Sequence, residues 1–175
     1  MNIEVGTDIA SIERMEKVIN RHGFFFLKRF LLPSEIIMLN TRLDSKPSLI
    51  LDNMGNTRLR VFDKTNLAYY EEYVSSTLWD LERDFRVGDY KLSSITAFWS
   101  LKEALSKAFG VGIGSLLGFY DICIYKDSLN KPYVALSLES KMNLETNNKY
   151  EIKQISASIS HDSGFAIAVC AITYS

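Results

Sequence analysis

The chain has 175 residues, is 47% hydrophobic and 23% charged, and carries a net charge of −1. That balance excludes a protein that grips nucleic acid by bulk charge, and the length is that of one soluble globular domain able to bury a core without disulfide staples. Cys123 and Cys170 lie in apolar strand-like runs and read as buried free thiols of a reducing compartment; no signal peptide or membrane-length apolar run is evident, so a cytoplasmic protein is expected.

In chain order, IEVG at 3–6 reads as a short strand, with Thr7 and Asp8 at its end. Ser11 is a suitable N-cap for a helix on which Ile12, Met15, Val18 and Ile19 recur at helical spacing, and Gly23 suits its stop. FFFLKRFL forms a second helical piece ending near Pro33, and a further turn or two follows with Ser34 as the expected cap. Residues 41–65 are loop-like, with SLIL and RLRVF able to pair as a hairpin around DNMGN. Asn66 to Phe85 has an amphipathic pattern, with Leu67, Tyr70, Val74, Leu78, Leu81 and Phe85 near one face; Gly88 and Asp89 break it. Ser93 or Ser94 is expected to cap the next helix, whose apolar stripe is Phe98, Leu101, Leu105 and Ala108 and whose end is marked by Gly110, Gly112 and Gly114. Four strands are predicted in the last third: FYDICIYKD, PYVALSL, QISASIS and FAIAVCAIT. The last two flank the tight turn from His161 to Gly164. Helices first and antiparallel strands late predict an α+β fold.

Several residues are candidates for chemistry, and each has a plainer reading. Asp8, at a strand end beside Gly6 and Thr7, is placed to hold a hard cation, but on spacing alone a turn or capping aspartate is the commoner reading. Glu103 and Lys107 are i and i+4, so they share a helix face; that is also the favoured order for an ordinary surface pair worth a few tenths of a kcal/mol. The glycines after Lys107 can let backbone N–H groups approach an anion, or simply stop the helix. Ser158 and Ser160 project from one side of a strand that ends at His161; this row suits phosphate oxygens, or is a solvated face. Arg14, Lys17 and Arg21 make a basic stripe, extended by Lys28 and Arg29. It fits an acidic partner, or a solvated face balanced by Glu13 and Glu16.

In this order the motifs resemble the holo-acyl-carrier-protein synthases, the small 4′-phosphopantetheinyl transferases. GTDI at 6–9 followed by Ile12 to Arg14, WSLKEALSKAFGVGIG at 99–114, DICIYKDSLNKPYV, and SISHDSGFAIAV at 158–169 are similar to that family's signatures. The resemblance implies a 4′-phosphopantetheinyl transferase fold in which an antiparallel sheet packs with helices. It implies transfer of 4′-phosphopantetheine from coenzyme A to a serine of an acyl carrier protein in fatty acid biosynthesis, with release of 3′,5′-ADP. By the same resemblance, Asp8 and Glu103 would bind Mg²⁺, Lys107 would contact the pyrophosphate, and Gly110, Gly112, Ser160 and His161 would contact coenzyme A. Arg14, Lys17 and Arg21 would dock the carrier protein, and the assembly would be a homotrimer with sites at its interfaces.

Two departures stand out. Residues from about 41 to 92 look like an insertion, partly helical, within a single domain. Asn130 replaces the glycine usual before Lys-Pro, a mild change because Asn tolerates a left-handed turn. The contrasting expectation is a catalytically inactive module that binds carrier protein through the insertion. A two-repeat transferase is disfavoured, since only one copy of the motif set is present.

Overall fold

The computed structural model describes residues 2–43, 60–62, 68–127 and 129–175, with the side chains of all of these except residues 60 and 68–74. The SLIL run and the DNMGN turn of the expected hairpin lie outside the described residues. Within them, strands and helices follow as β1 (Asn2–Ser11), α1 (Ile12–His22), α2 (Phe24–Lys28), α3 (Pro33–Leu39), β2 (Arg60–Phe62), α4 (Ala68–Arg83) and α5 (Leu92–Ala108). The chain continues through β3 (Ile122–Lys126), β4 (Pro132–Ser137), α6 (Leu138–Asn148), β5 (Ile152–Asp162) and β6 (Phe165–Tyr174), with 3₁₀ turns at Val87–Asp89 and Phe119–Asp121.

The strands form two sheets, the first of which packs on α5. The first is antiparallel in the order β1-β6-β5, and the second runs β2-β4-β3. β3 and β4 pair antiparallel, but β2 runs parallel to β4, so the second sheet is mixed and Arg60–Phe62 does not belong to a simple local hairpin. The β5–β6 turn places Ser163 at φ 49° and Gly164 at φ 83°, the left-handed pair of a two-residue hairpin turn whose twist matches the strands. The Gly164 carbonyl accepts the Ile12 N–H at 2.8 Å, which ties this turn to the start of α1.

α5 lies at the centre. The sequence showed a stripe of Phe98, Leu101, Leu105 and Ala108, and all four are buried, but Ile95, Thr96, Ala97, Ser100, Lys102, Ala104 and Ser106 are buried too. A helix enclosed on several sides loses the clean amphipathic period, which is why one stripe understated it. Ala166, Ala168, Cys170 and Ile172 of β6 are fully buried beneath it.

Local expectations met mixed outcomes. Ser11 caps α1, its hydroxyl accepting the Arg14 N–H at 3.2 Å. β1 is longer than IEVG: it runs on through Asp8, which pairs with Ala168 in mid-strand. α3 is started not by Ser34 but by Pro33 at its first position, with the Leu32 N–H donating to Glu35 Oε2 at 2.7 Å. α5 starts after Lys91, with no side-chain cap from Ser93 or Ser94. The helix at 138–148 is not among the expected elements; its polar LESKMNLETNN carries little apolar period, yet Ser137 caps it by accepting the Ser140 N–H at 3.2 Å. Cys123 and Cys170 are free and buried, and burial pushes both thiols up to about 12. Such thiols are inert at neutral pH.

Candidate active site

The site begins at a crossing. Gly6 of β1 lies directly under α5: a Cβ there would sit 2.1 Å from the Ala104 carbonyl oxygen and 2.4 Å from the Ala108 nitrogen. Only a residue without a side chain lets strand and helix approach this closely. Two residues on, Asp8 points to the same face of β1, since side chains alternate along a strand. It therefore meets the helix turn that carries Glu103 and Lys107.

There the pairing differs from the plain i,i+4 reading. Lys107 Nζ donates to Asp8 Oδ1 at 2.8 Å, with the Asp8 side chain mostly covered and the lysine half exposed. Glu103 is half-buried; burial raises its carboxyl pKa most, the neighbouring Asp8 charge raises it further, and Lys107 pulls it back. Two carboxylates from distant parts of the chain thus share one lysine. Among the described residues no group of three or more His, Cys, Asp or Glu forms a metal cage. A pair of carboxylates is nonetheless what Mg²⁺ commonly takes from a protein, the remaining positions being filled by water and substrate phosphates. The mutual electrostatic strain of Asp8 and Glu103 is relieved by added positive charge, so the donor set fits such an ion.

The glycine loop follows at once. Gly110 and Gly112 take φ of 71° and 67°, and a Cβ at Gly110, Gly112 or Gly114 would meet nothing within 4 Å. Its amides are partly spent: the Gly110 N–H donates to the Lys107 carbonyl, and those of Val111 and Gly112 to the Ser106 carbonyl. They cap the C-terminus of α5. What the glycines leave is open backbone surface beside Lys107. An adjoining cleft of about 360 Å³ is lined by Lys107, Phe109, Gly110, Glu4, Tyr150 and Tyr174.

Ser160 and His161 are not drawn into this cluster. Ser160 pairs with Ile167, in the same row as Ile9, and faces away from α5. His161 shares the inner face with Asp8 but sits across β6 and two residues along. Two strand spacings and that offset put their Cα atoms about 12 Å apart. Both residues are exposed. On α1, Met15 and Ile19 are buried while Arg14, Lys17 and Arg21 are exposed, but Lys17 is ion-paired to Glu13. Lys28 is held by both oxygens of Glu82 of α4, at 2.7 and 2.8 Å. The basic character therefore rests mainly on Arg14, Arg21 and Arg29.

Comparison with known proteins gives this arrangement a family. The profile of the 4′-phosphopantetheinyl transferase superfamily matches residues 59–170. The chain belongs to this superfamily. It is 35% identical to the holo-[acyl-carrier-protein] synthase of Sulfurovum sp. (strain NBC37-1) over 172 residues, 98% of both chains. It is 37% identical to that of Helicobacter acinonychis (strain Sheeba), covering 97% of this chain and 99% of the other. Among solved structures it resembles Helicobacter pylori holo-[acyl-carrier-protein] synthase in complex with coenzyme A, with a TM-score of 0.62, 35% identity, and 97% and 99% of the two chains covered.

This 4′-phosphopantetheinyl transferase superfamily chain also holds a buried ion pair beside the site. Lys102, next to Glu103, is fully buried and bonded to Glu35 Oε2 at 2.7 Å. The signal was there: Lys102 is four residues after Phe98 and three before Leu105, inside the apolar stripe, where a cation needs a buried counter-charge. Its partner, far upstream on α3, was not visible from spacing.

Proposed function

We propose that the chain is a holo-[acyl-carrier-protein] synthase: it transfers 4′-phosphopantetheine from coenzyme A to a serine hydroxyl of an acyl carrier protein, and 3′,5′-ADP leaves. The observation that carries this reading is the Asp8–Glu103–Lys107 cluster next to an open glycine loop, in a chain matched end to end by proteins of that name.

The reaction forms one P–O bond, from the carrier serine to the phosphorus bearing pantetheine, and breaks the bond from that phosphorus to the bridging oxygen. The serine proton is given up, and the electron pair leaves with the adenosine phosphate. Such a step needs alignment and charge neutralisation more than covalent help from the protein. Mg²⁺, held by Asp8 and Glu103, would neutralise pyrophosphate oxygens and the departing group. Lys107, half exposed, has the reach to exchange Asp8 for a phosphate oxygen. The glycines let the pyrophosphate pass close to the backbone.

Ser160 and His161 enter this reading from a second copy. They stand apart from the cluster within one chain, and the outer face of the first sheet exposes Ile3, Val5, Ile9, Phe165, Ile167 and Val169. A face so apolar favours self-association, and a homotrimer would set the nucleotide-side residues of one subunit against the carboxylates of another. Arg14 and Arg21, with Lys17, would meet the acidic carrier protein. We read residues 41–92 as an addition to a single domain: Leu78, Leu81 and Phe85 pack on the core, and Glu82 takes up Lys28. The cytoplasm is the proposed compartment, supported by two free thiols.

Mass spectrometry of apo-acyl carrier protein incubated with this protein, coenzyme A and Mg²⁺ tests the reading. A phosphopantetheine mass gain is expected. No gain with several carrier proteins, together with retained coenzyme A binding, would instead favour an inactive binding module.

A further inference from the structure

We propose that the buried Glu35–Lys102 pair is a positioning device for the site, fixing the rotation of α5 and anchoring the far end of the glycine loop. The inference rests on reading Asp8, Glu103 and Lys107 as that site. Neither residue touches the proposed substrates; both act through what they hold.

The geometry is complete and costly. Both side chains are wholly removed from solvent. Lys102 Nζ uses all three of its protons: on Glu35 Oε2 at 2.7 Å, on the Phe30 carbonyl at 2.8 Å and on the Phe119 carbonyl at 3.0 Å. Glu35 accepts the Leu32 N–H through Oε2 and the Ile124 N–H through Oε1, each at 2.7 Å. Burial still pushes the Glu35 carboxyl up, against the pull of Lys102 and both amides. Taking two charges out of water is not an economical way to stabilise a core, because well-packed apolar residues do as well or better. What such a pair supplies is a single permitted arrangement.

The arrangement it permits bears on the site. Lys102 precedes Glu103, so an ammonium pinned by three acceptors sets which way α5 is turned. Gly6 under Ala104 and Ala108 sets how closely the helix lies on β1. Together they leave Glu103 and Lys107 directed at Asp8. The Phe119 carbonyl stands where the chain returns from the glycine loop into the 3₁₀ turn at Phe119–Asp121. Lys102 thus ties the end of that loop back to the helix from which it springs, next to the tilted ring pair of Trp99 and Phe119 with centroids 5.0 Å apart. The Phe30 carbonyl and the Glu35 contacts bring the turn after α2, the start of α3 and β3 to the same point.

Lys102→Met tests this in the full-length protein, since it keeps the apolar stem and lets Glu35 take a proton and remain neutral. Hydrogen exchange read by mass spectrometry is expected to speed about tenfold in peptides spanning 109–119, while those of β5 and β6 stay within about twofold. Mn²⁺ affinity, measured without coenzyme A, is expected to fall about tenfold, the usual scale for losing a group that orients a ligand. A core variant of matched thermal stability, Leu144→Val, is expected to leave both readouts unchanged. A folded Lys102→Met protein with wild-type loop exchange and Mn²⁺ affinity would overturn the proposal, as would faster exchange spread evenly over the chain. If Lys102→Met does not fold, the same measurements are made on Lys102→Met/Glu35→Gln; failure of both to fold makes the pair a stability element only, and overturns positioning. Wild-type protein that binds no Mn²⁺ would count against the site reading instead, leaving loop exchange to decide the role of the pair.

Discussion

Lys107 is shared between two duties at the residue scale. It satisfies Asp8 at 2.8 Å and draws down the carboxyl of Glu103, which burial and Asp8 hold up. On the proposed reading, a divalent cation would compete with this ammonium for the same carboxylate. Lys107→Met is therefore expected to raise Mn²⁺ affinity in the absence of coenzyme A by up to about fivefold, the worth of an exposed pair of ~1 kcal/mol. With coenzyme A present it is expected to slow transfer and raise the KM for coenzyme A; Mn²⁺ titration by electron paramagnetic resonance and steady-state kinetics read the two effects. Glu103→Gln keeps the shape and removes one negative charge. Its expected result is a transfer rate lower by about 100-fold or more with an unchanged melting temperature, since Glu103 would hold the cation that stabilises the developing charge, an effect of that size. An unaltered kcat would remove Glu103 from the site. Because burial and Asp8 raise the Glu103 carboxyl above its ordinary value of 4.5, protons would compete with a bound cation there sooner than at an exposed glutamate. Mn²⁺ affinity is expected to weaken on acidification from above that value, and Glu103→Gln to flatten the dependence.

At the scale of elements, the contact of β1 with α5 decides whether these residues meet at all. Gly6→Ala forces a Cβ into the Ala104 carbonyl and the Ala108 backbone, both rigid. The strand or helix must shift, at a cost of about 3 kcal/mol by the scale of overpacked cores. That corresponds to a melting temperature lower by roughly 6–12 °C for a chain of this size, measured by circular dichroism. Mn²⁺ binding is expected to weaken with it, because the shift parts Asp8 from Glu103. The elements also show what local pattern can carry. Ser11 and Gly23 bound α1 as read, because cap and stop chemistry is local. The hairpin at Ser163 and Gly164 follows from its flanking alternation and turn residues. By contrast, the length of β1 depended on a partner elsewhere, while the start of α3 is set locally by Pro33 and Glu35 rather than by the expected Ser34. β1 continues through Asp8 because β6 offers a full ladder to Ser11. Residues 138–148 are too polar to announce a face.

For the whole molecule, the exposed apolar face of the first sheet is the feature with the most direct test. Ile9 is 62% exposed and Val5 58%, next to Ile167 and Val169. Ile9→Glu should hardly alter the stability of a lone chain, where an exposed substitution counts for little. If the face joins copies and the site is completed across it, light scattering is expected to show monomers and transfer activity is expected to fall together. A variant that stays assembled and active would rule that face out as the interface. No helix of the described residues is long and apolar enough to cross a membrane.

What the sequence determined by itself was the composition class, the α+β order of elements, the cap of α1, the C-terminal hairpin and the motif order that resembles the transferases. These rest on residues close together in the chain, where spacing translates directly into geometry. Only the tertiary structure decided that Lys107 bonds Asp8 rather than Glu103, that Lys102 finds Glu35, that the Gly110 and Gly112 amides close the helix end, and that Ser160 and His161 stand apart from the carboxylates. Those facts depend on which faces of β1, α3 and α5 are pressed together. That is set by the close approach at Gly6 and the burial of α5, and no periodicity within one segment encodes it.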